Sequence, residues 1–502
     1  MNAPQIAVVG AGPGGLTAAM ILARRGCRVT VYEKRDRVGG RNEEIRLGPY
    51  RFDTGPTFLM MKFLLDEMFA EAGRDVRDYL EFTRLEPMYR LQFADRHLLP
   101  TTDPEGMRAE IRRAFPGEEK GLDRFLAREA KRYHRMFPCL RKDYSTLATM
   151  VHPDLLRALP RLSLGRSLYE VLGDYFRSEE LKLCFTFQSK YLGMSPWSCP
   201  GLFAMIPYVE HAFGIYHVRG GLAKISEAMA KAVGELGGEI RLEAPVRRLA
   251  LRGRAVPGGE LADGKTEAAD AVVLNADFAH AMTHLVPPGV LRKYTPENLE
   301  RRDYSCSTFM LYLGVDRRYD LDHHTIVFSR DYAAYLRSVT DELKLVDDVS
   351  FYLRDASAAD PGLAPEGHSA LYILVPGPNN KSGIDWGKEK ARFREVVLAA
   401  VAARTPLKDL RERIREERVI TPSDWESGHD VFQGATFNLS HKISQMLYFR
   451  PRNAFEELGN CYLVGGGTHP GSGLPTIYES GRISADLISR RFGLAFRPAG
   501  AR

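Results

Sequence analysis

Three glycines near the start of the chain stand where phosphate chemistry needs them. Gly10, Gly12 and Gly15 form G-x-G-x-x-G directly after the apolar run Ile6-Ala7-Val8-Val9, and Leu16, Met20 and Ala23 then recur at helical spacing. In such a strand–turn–helix the first glycine permits the tight turn, the second lets a pyrophosphate approach the backbone, and the third lets helix and strand pack closely. Unpaired N–H groups at the helix start attract the phosphates. A second strand, Arg28-Val29-Thr30-Val31-Tyr32, ends at Glu33, where a carboxylate can accept hydrogen bonds from ribose hydroxyls and disfavours a 2′-phosphate. Strand, glycines, helix, strand and acid in register predict dinucleotide binding.

Arg37-Val38-Gly39-Gly40-Arg41 and Phe52-Asp53-Thr54-Gly55-Pro56-Thr57 come next, a glycine and arginine supply suited to a long cofactor lying extended. No second complete fingerprint follows, which favours FAD alone over a flavin reduced by bound NAD(P)H.

The elements that must hold this cleft are spread along the chain. Arg219-Gly220-Gly221-Leu222 opens a helix to Leu236, and Glu239-Ile240-Arg241-Leu242 reads as a strand that leads to Val246. A hairpin is expected around Pro257-Gly258-Gly259 and Asp263-Gly264, then a buried strand Ala271-Val272-Val273-Leu274 ending at Asn275. Near the end, Cys461-Tyr462-Leu463-Val464 reads as another buried strand, followed by the turn-rich loop Gly465 to Pro475 and a helix from Thr476 to Arg491. That helix start would be a second positive dipole end, able to stabilise negative charge on a reduced flavin. Between 60 and 209 the pattern is helical, broken by prolines, with no recognisable catalytic motif.

Length and composition set the outer limits. The 502 residues suffice for about three domains, and 44% apolar with 27% charged residues excludes a fibre or a disordered chain. Lys and Arg exceed Asp and Glu by six, too little to argue for nucleic acid. The six cysteines (Cys27, Cys139, Cys184, Cys199, Cys306, Cys461) show no metal-ligand spacing and read as buried thiols of a reducing compartment, and no metal site is expected. Tyr191 to Val209 carries no charge but holds three prolines, so no span is expected there, and no cationic leader precedes an apolar core at the N-terminus.

At the level of motifs the sequence resembles the bacterial-type phytoene desaturases, which include dehydrosqualene desaturases and related carotenoid-modifying flavoenzymes. The resemblance runs along nearly the whole chain. It is carried by the N-terminal fingerprint with Arg37 to Arg41, by Phe52 to Thr57, Gly214 to Gly221, Val273 to Asp277, His323 to Thr325, Leu363 to Gly367, Tyr448 to Pro451, and Tyr462 to Pro475. The last, Y-L-V-G-G-G-T-H-P-G-S-G-L-P, is the most specific. Met205 to Glu210 looks more like the C30 dehydrosqualene branch than the C40 phytoene branch. After Pro475 the chain reads Thr476-Ile477-Tyr478-Glu479-Ser480 rather than the small apolar run of many phytoene desaturases.

The resemblance implies an α/β fold. A Rossmann-like FAD-binding domain (1–75, 211–290 and 445–502) interleaves with a mixed β-sheet substrate domain (76–120 and 291–444) and a helical membrane-facing region (121–210). It implies a desaturase that moves a hydride from a long isoprenoid hydrocarbon to FAD, later reoxidised by oxygen or a quinone. For FAD it implies Gly10, Gly12, Gly14, Gly15, Glu33, Lys34, Gly40, Arg41, Gly55, Pro56, Thr57, Val246, Asn275, Gly466, Gly467, Leu474, Pro475 and Thr476. For acid–base work it implies Asp154 and Arg157, spaced i, i+3 on one helix face, where a solvated ion pair is the simpler alternative. Glu210 and Glu479 are further carboxylates near motifs. Lys190 and Tyr191 are candidates for the substrate side, and His469 for ordering its loop. Adjacent His323 and His324 are expected on opposite faces of a strand.

Between Arg124 and Arg177 eleven Lys or Arg face five acids, interleaved with apolar residues from Phe125 to Leu162. This predicts a basic amphipathic face on anionic lipid, hence a cytoplasmic protein held peripherally (monotopically) on the inner face of the cell membrane. Relatives that oxygenate or isomerise carotenoids, or process hydroxysqualene, share the motifs. A prenyl-binding protein of flavin fold is the non-catalytic alternative.

Overall fold

The structure is a computed structural model that describes residues 3–496; residues 1–2 and 497–502, at the outer ends of the cofactor-domain segments, lie outside it. Its first layer is a parallel sheet of five strands in the order Glu239–Arg241, Arg28–Tyr32, Gln5–Val9, Ala271–Leu274 and Cys461–Leu463. Three distant stretches of chain build it. Ile6 and Val8 are completely buried, as are Ala271 to Val273, because helices cover one face of the sheet and the strands Val246–Arg252 and Ala255–Leu261 with the helix Phe278–His284 cover the other.

The helix Pro13–Arg24 follows the first strand with Pro at its first position, where the missing N–H is not needed. Its residues Gly14 to Ala23 are all buried, since it packs between Ala223–Glu235 and the C-terminal helix Leu474–Arg491. Pro257 to Gly259 forms the middle of a strand, Ala255–Leu261, rather than a hairpin turn. The chain reverses instead at Gly253 and at Asp263-Gly264, where Gly253 and Gly264 take positive φ, while Gly258 and Gly259 let the neighbouring strands approach closely.

The second layer is a seven-stranded sheet in the order Ile414–Ile420, Ser307–Val315, Ser369–Gly377, Phe351–Asp355, His324–Val327, Arg90–Gln92 and His97–Leu98. It is antiparallel except for the pairing of His324–Val327 with Arg90–Gln92, so it is mixed. All nine residues of Ser307–Val315 are buried, because this strand lies inside the sheet with helices over it.

Helices fill the stretch from 104 to 213. The longest, Glu119–Leu140, turns Phe125, Tyr133 and Met136 inward, and they lie in the core. The apolar side of this helix is therefore covered by protein, while Arg124, Arg128, Lys131 and Arg135 stay exposed on its other side. Arg132, 2% exposed, sits inside and pairs with Glu129 at 2.7 Å. The apolar residues left in solvent lie further along the same 124–177 stretch: five of the nine large exposed ones among the described residues are Leu147, Val151, Leu156, Leu159 and Leu164. No helix among the described residues is long and apolar enough to cross a membrane.

Candidate cofactor cleft and its surroundings

The cleft opens at the carboxyl ends of the parallel strands, where such sheets bind ligands. Gly10 takes a φ of +97°, and a Cβ there would come within 2.8 Å of the Asn275 carbonyl oxygen. Gly15 is tighter still: a Cβ would meet the Gly10 carbonyl at 2.5 Å, so this glycine serves helix–strand packing, not the cleft wall. Gly40 differs, because beside it only Gly12 Cα lies within 4 Å and the space belongs to the cleft. Asn275 locks the turn by donating from Nδ2 to the Gly10 carbonyl at 3.0 Å.

Glu33, 6% exposed, accepts from the backbone N–H of Ala11 at 2.8 Å and of Arg35 at 3.0 Å, which aims its carboxylate across the turn. Next to it Lys34 pairs with Asp430, and Arg35 donates to the Gly428 carbonyl and lies 3.2 Å from His429 Nδ1. His280 also approaches Asp430, at 3.6 Å. Sequence reading missed His280, His429 and Asp430. The last two come from the end of the helix Pro422–His429 and its C-terminal cap, and no local pattern announces that they cross to the cleft.

Toward the other end, Arg41 and Asp277 share a buried setting. Burial lowers the Arg41 guanidinium and raises the Asp277 carboxyl to about 6, while each offsets the other. Asn438 bridges them in the amide orientation that satisfies both, donating to Asp277 Oδ2 at 2.8 Å and accepting from Arg41 Nη2 at 2.9 Å. Pro56, Gly465, Gly466, Leu474 and Ile477 close this end, beside the start of the helix Leu474–Arg491.

Of the residues read from sequence, Gly10, Gly12, Gly14, Glu33, Lys34, Gly40, Arg41, Pro56, Val246, Asn275, Gly466 and Leu474 line the cleft. The others stand one layer back. Gly55 packs under Arg41, Gly467 lies against Phe278, and Thr57 Oγ1 is 2.8 Å from the Tyr352 hydroxyl. Thr476 donates back to the carbonyls of Ser472 and Gly473 at 2.8 Å, and Pro475 occupies the first turn of the last helix.

A missed residue organises the glycine-rich loop. Arg450, fully buried, donates to the carbonyls of Leu439, Ser440, Gln445, Gly466 and Thr468. Burial lowers its guanidinium to about 9. Only the local motif Tyr448-Phe449-Arg450-Pro451 hinted at it.

Asp154 and Arg157 do share the face of a short helix, Pro153–Ala158, at 3.7 Å, but neither lines the cleft. Asp154 also lies 3.5 Å from Lys142 Nζ and 3.4 Å from His152 Nδ1. The neighbouring Tyr144 packs edge-on against His469 of the glycine-rich loop, ring centres 4.9 Å apart. Glu210 is fully buried and accepts from Tyr89, Tyr191 and Gln188 at 2.8–2.9 Å, and burial raises it to about 7. Glu479 is buried in ion pairs with Arg482 and Arg141, a structural setting. His323 and His324 do not point to opposite faces: the strand begins only at His324, and the two rings meet, Nδ1 to Nε2, at 2.9 Å.

The fold and the cleft define a class, an oxidoreductase with a dinucleotide site on a parallel sheet, interleaved with a mixed seven-stranded sheet. Residues 13–489 match the family of flavin-containing amine oxidoreductases. A solved putrescine oxidase shares the fold with a TM-score of 0.64 over 97% of this chain and 99% of its own, at 17% identity. The chain is 55% identical, over 99% of its length and 97% of the relative's, to a 4,4'-diapophytoene desaturase (4,4'-diapolycopene-forming) of Methylomonas sp. It is 39% identical, over 97% and 94%, to an all-trans-zeta-carotene desaturase of Myxococcus xanthus. The chain belongs to the flavin-containing amine oxidoreductases, in their bacterial phytoene desaturase branch, and its cofactor is FAD.

The residues fit that cofactor. An acid at the ribose position, bare glycines facing a helix N-terminus and a second helix start at the far end match adenosine, pyrophosphate and flavin in order.

Proposed function

We propose that the protein is an FAD-dependent desaturase that introduces double bonds into a C30 polyene of the 4,4'-diapophytoene type, in carotenoid biosynthesis. The 55% identity to the Methylomonas enzyme, running end to end, carries this reading. Bound FAD supplies the hydride acceptor. In this reading Glu33 holds the ribose, with Lys34 and Val246 beside the adenosine. The N–H groups after Gly12 meet the pyrophosphate. Arg41, Pro56, Gly466 and Leu474 border the flavin, backed by Gly55, Thr57, Gly467, Pro475 and Thr476. Asp154, 3.7 Å from Arg157 on the helix Pro153–Ala158 and outside the cleft lining, is proposed as an acid–base residue that acts apart from the flavin.

The substrate is a hydrocarbon dissolved in lipid, and we place the membrane contact at 147–164. Leu147 and Val151 are 66% and 64% exposed, Arg157 stands out beside them, and Arg452 approaches the same stretch by donating to the Ser145 carbonyl. Apolar tips between cations suit an anionic leaflet. A peripheral protein on the inner face of the cell membrane would draw both polyene and a quinone acceptor from the same layer, with oxygen as the alternative acceptor.

The test is direct. The FAD-loaded protein is mixed with liposomes carrying diapophytoene or phytoene, and the extracted products are read by absorption. A longer conjugated C30 chromophore supports the proposal; oxygenated or isomerised product alone, or turnover of phytoene alone, overturns it.

A further inference from the structure

Thr57 begins a line of hydrogen bonds that leaves the flavin end of the cleft and enters the seven-stranded sheet. It stands one residue beyond Pro56, and Pro56 lines the cleft at the end opposite Glu33, where the flavin of an extended FAD must lie. Thr57 Oγ1 is 2.8 Å from the Tyr352 hydroxyl, which is 2.5 Å from His324 Nδ1. His324 Nε2 is in turn 2.9 Å from His323 Nδ1. The line stops at His323 Nε2, a buried atom with no partner among the described residues.

Two opposite arrangements of protons satisfy every link, and only the following one lets a proton move inward from Thr57. Thr57 donates to the Tyr352 oxygen, Tyr352 donates to His324 Nδ1, and His324 Nε2–H donates to His323 Nδ1. Both imidazoles are neutral at rest, because burial and the nearby Arg354 push each well below the usual histidine value. The charges that face them are also fixed. Arg354, 1% exposed, donates to Asp53 Oδ2 at 2.6 Å and lies 3.3 Å from His217 Nδ1, so His217 turns its Nε2–H to Asp360 at 3.2 Å. The His217 ring is 5.1 Å from that of His323, which sets the Asp360 carboxylate behind the far end of the line.

We propose that Thr57, Tyr352, His324 and His323 form the relay that first takes up the proton released by desaturation. The inference rests on the desaturase reading. Two C–H bonds break on neighbouring carbons. One hydrogen leaves with its electron pair, as hydride, to the flavin. The other leaves as a proton, and its electron pair becomes the second bond of the new C=C. Hydride loss next to a polyene leaves an allylic cation whose neighbouring C–H is strongly acidic, so a weakly basic hydroxyl suffices as acceptor. As the proton enters at Thr57, each bridging proton moves one place on, and the charge arrives on His323 on the Asp360 side.

Two variants cut the line without removing bulk: Tyr352→Phe in the middle and Thr57→Val at its start. The first readout needs no substrate. Histidine ¹⁵N NMR of the FAD-loaded protein is expected to show His324 as the Nε2–H tautomer, and Y352F to lose that preference; an Nδ1–H tautomer in the unaltered protein overturns the relay. The second is single-turnover bleaching of the flavin by diapophytoene in liposomes. Both variants are expected to slow it about tenfold or more, with KM within twofold, FAD content and melting temperature retained, and a changed solvent deuterium effect. A rate within twofold of the unaltered protein in either variant overturns it. So does loss of FAD or of folding in both, which assigns the line to structure. If the unaltered protein desaturates no polyene, the functional reading fails, while the tautomer result still reports on the line itself.

Discussion

Arg450 Nη2 donates to the Gly466 carbonyl at 2.7 Å, so a buried cation with no carboxylate partner among the described residues fixes the glycine-rich loop that lines the cleft. A guanidinium offers five N–H donors in a rigid plane, and five carbonyls from two segments take them up. Lysine keeps the charge but brings only three donors. R450K is expected to weaken FAD binding by about tenfold or more, and R450A to lower stability by at least ~3 kcal/mol as buried carbonyls lose partners. Flavin retention on gel filtration and the melting temperature measure the two effects.

Glu33 is aimed by two backbone N–H groups and keeps lone pairs free for ribose. E33Q replaces one acceptor oxygen by a donor, so FAD affinity is expected to drop about tenfold, roughly 1.4 kcal/mol, with the fold intact. Titration of the flavin-free protein with FAD reads this directly; unchanged affinity would remove Glu33 from the site.

The carboxyl of Glu210 is raised by burial to about 7. The folded state therefore binds its proton more tightly than the unfolded state. The stability this confers is present below the ordinary glutamate value and is lost as pH rises toward 7, by on the order of 2–3 kcal/mol. The melting temperature is expected to decline over that interval, and E210Q to flatten the decline; parallel curves for the two proteins would refute the assignment.

Membrane contact at 147–164 gives a separable prediction. Changing Leu147, Val151, Leu156 and Leu159 to Ser removes exposed apolar surface without touching the core, at about 1 kcal/mol of membrane affinity per side chain. Sedimentation with anionic vesicles is expected to fall by two orders of magnitude or more, while FAD content stays at the unaltered level.

Asp154 lies outside the cleft lining, so D154N is expected to leave FAD binding and its spectrum unaltered. If the residue handles a proton, turnover drops by about a hundredfold. A turnover within twofold of the unaltered protein identifies the Asp154–Arg157 contact as a surface ion pair.

What was legible in the sequence was local. Gly10, Gly12, Gly15 and Glu33 could be assigned because turn, helix start and acid fall within one strand–helix–strand unit. Arg450 could not, since its partners are backbone groups folded around it from 439–445 and 466–468. The error over Phe125 to Met136 has the same origin: periodicity finds an apolar face but not whether protein or lipid covers it. His323 and His324 were misread because alternation holds only inside a strand, and the strand begins between them.

The parallel sheet also fixes when the cofactor can be bound. Its central strand pairs with Ala271–Leu274, which pairs with Cys461–Leu463, and the cleft needs Asn275 and Gly465 as walls. A ribosome that has made the fingerprint must add some four hundred and fifty residues before the opposite wall exists. The N-terminal segment therefore cannot fold around FAD as it emerges. Its apolar strands stay exposed until Ala271–Leu274 and Cys461–Leu463 have been made, so the walls of the FAD cleft close only when those strands pair.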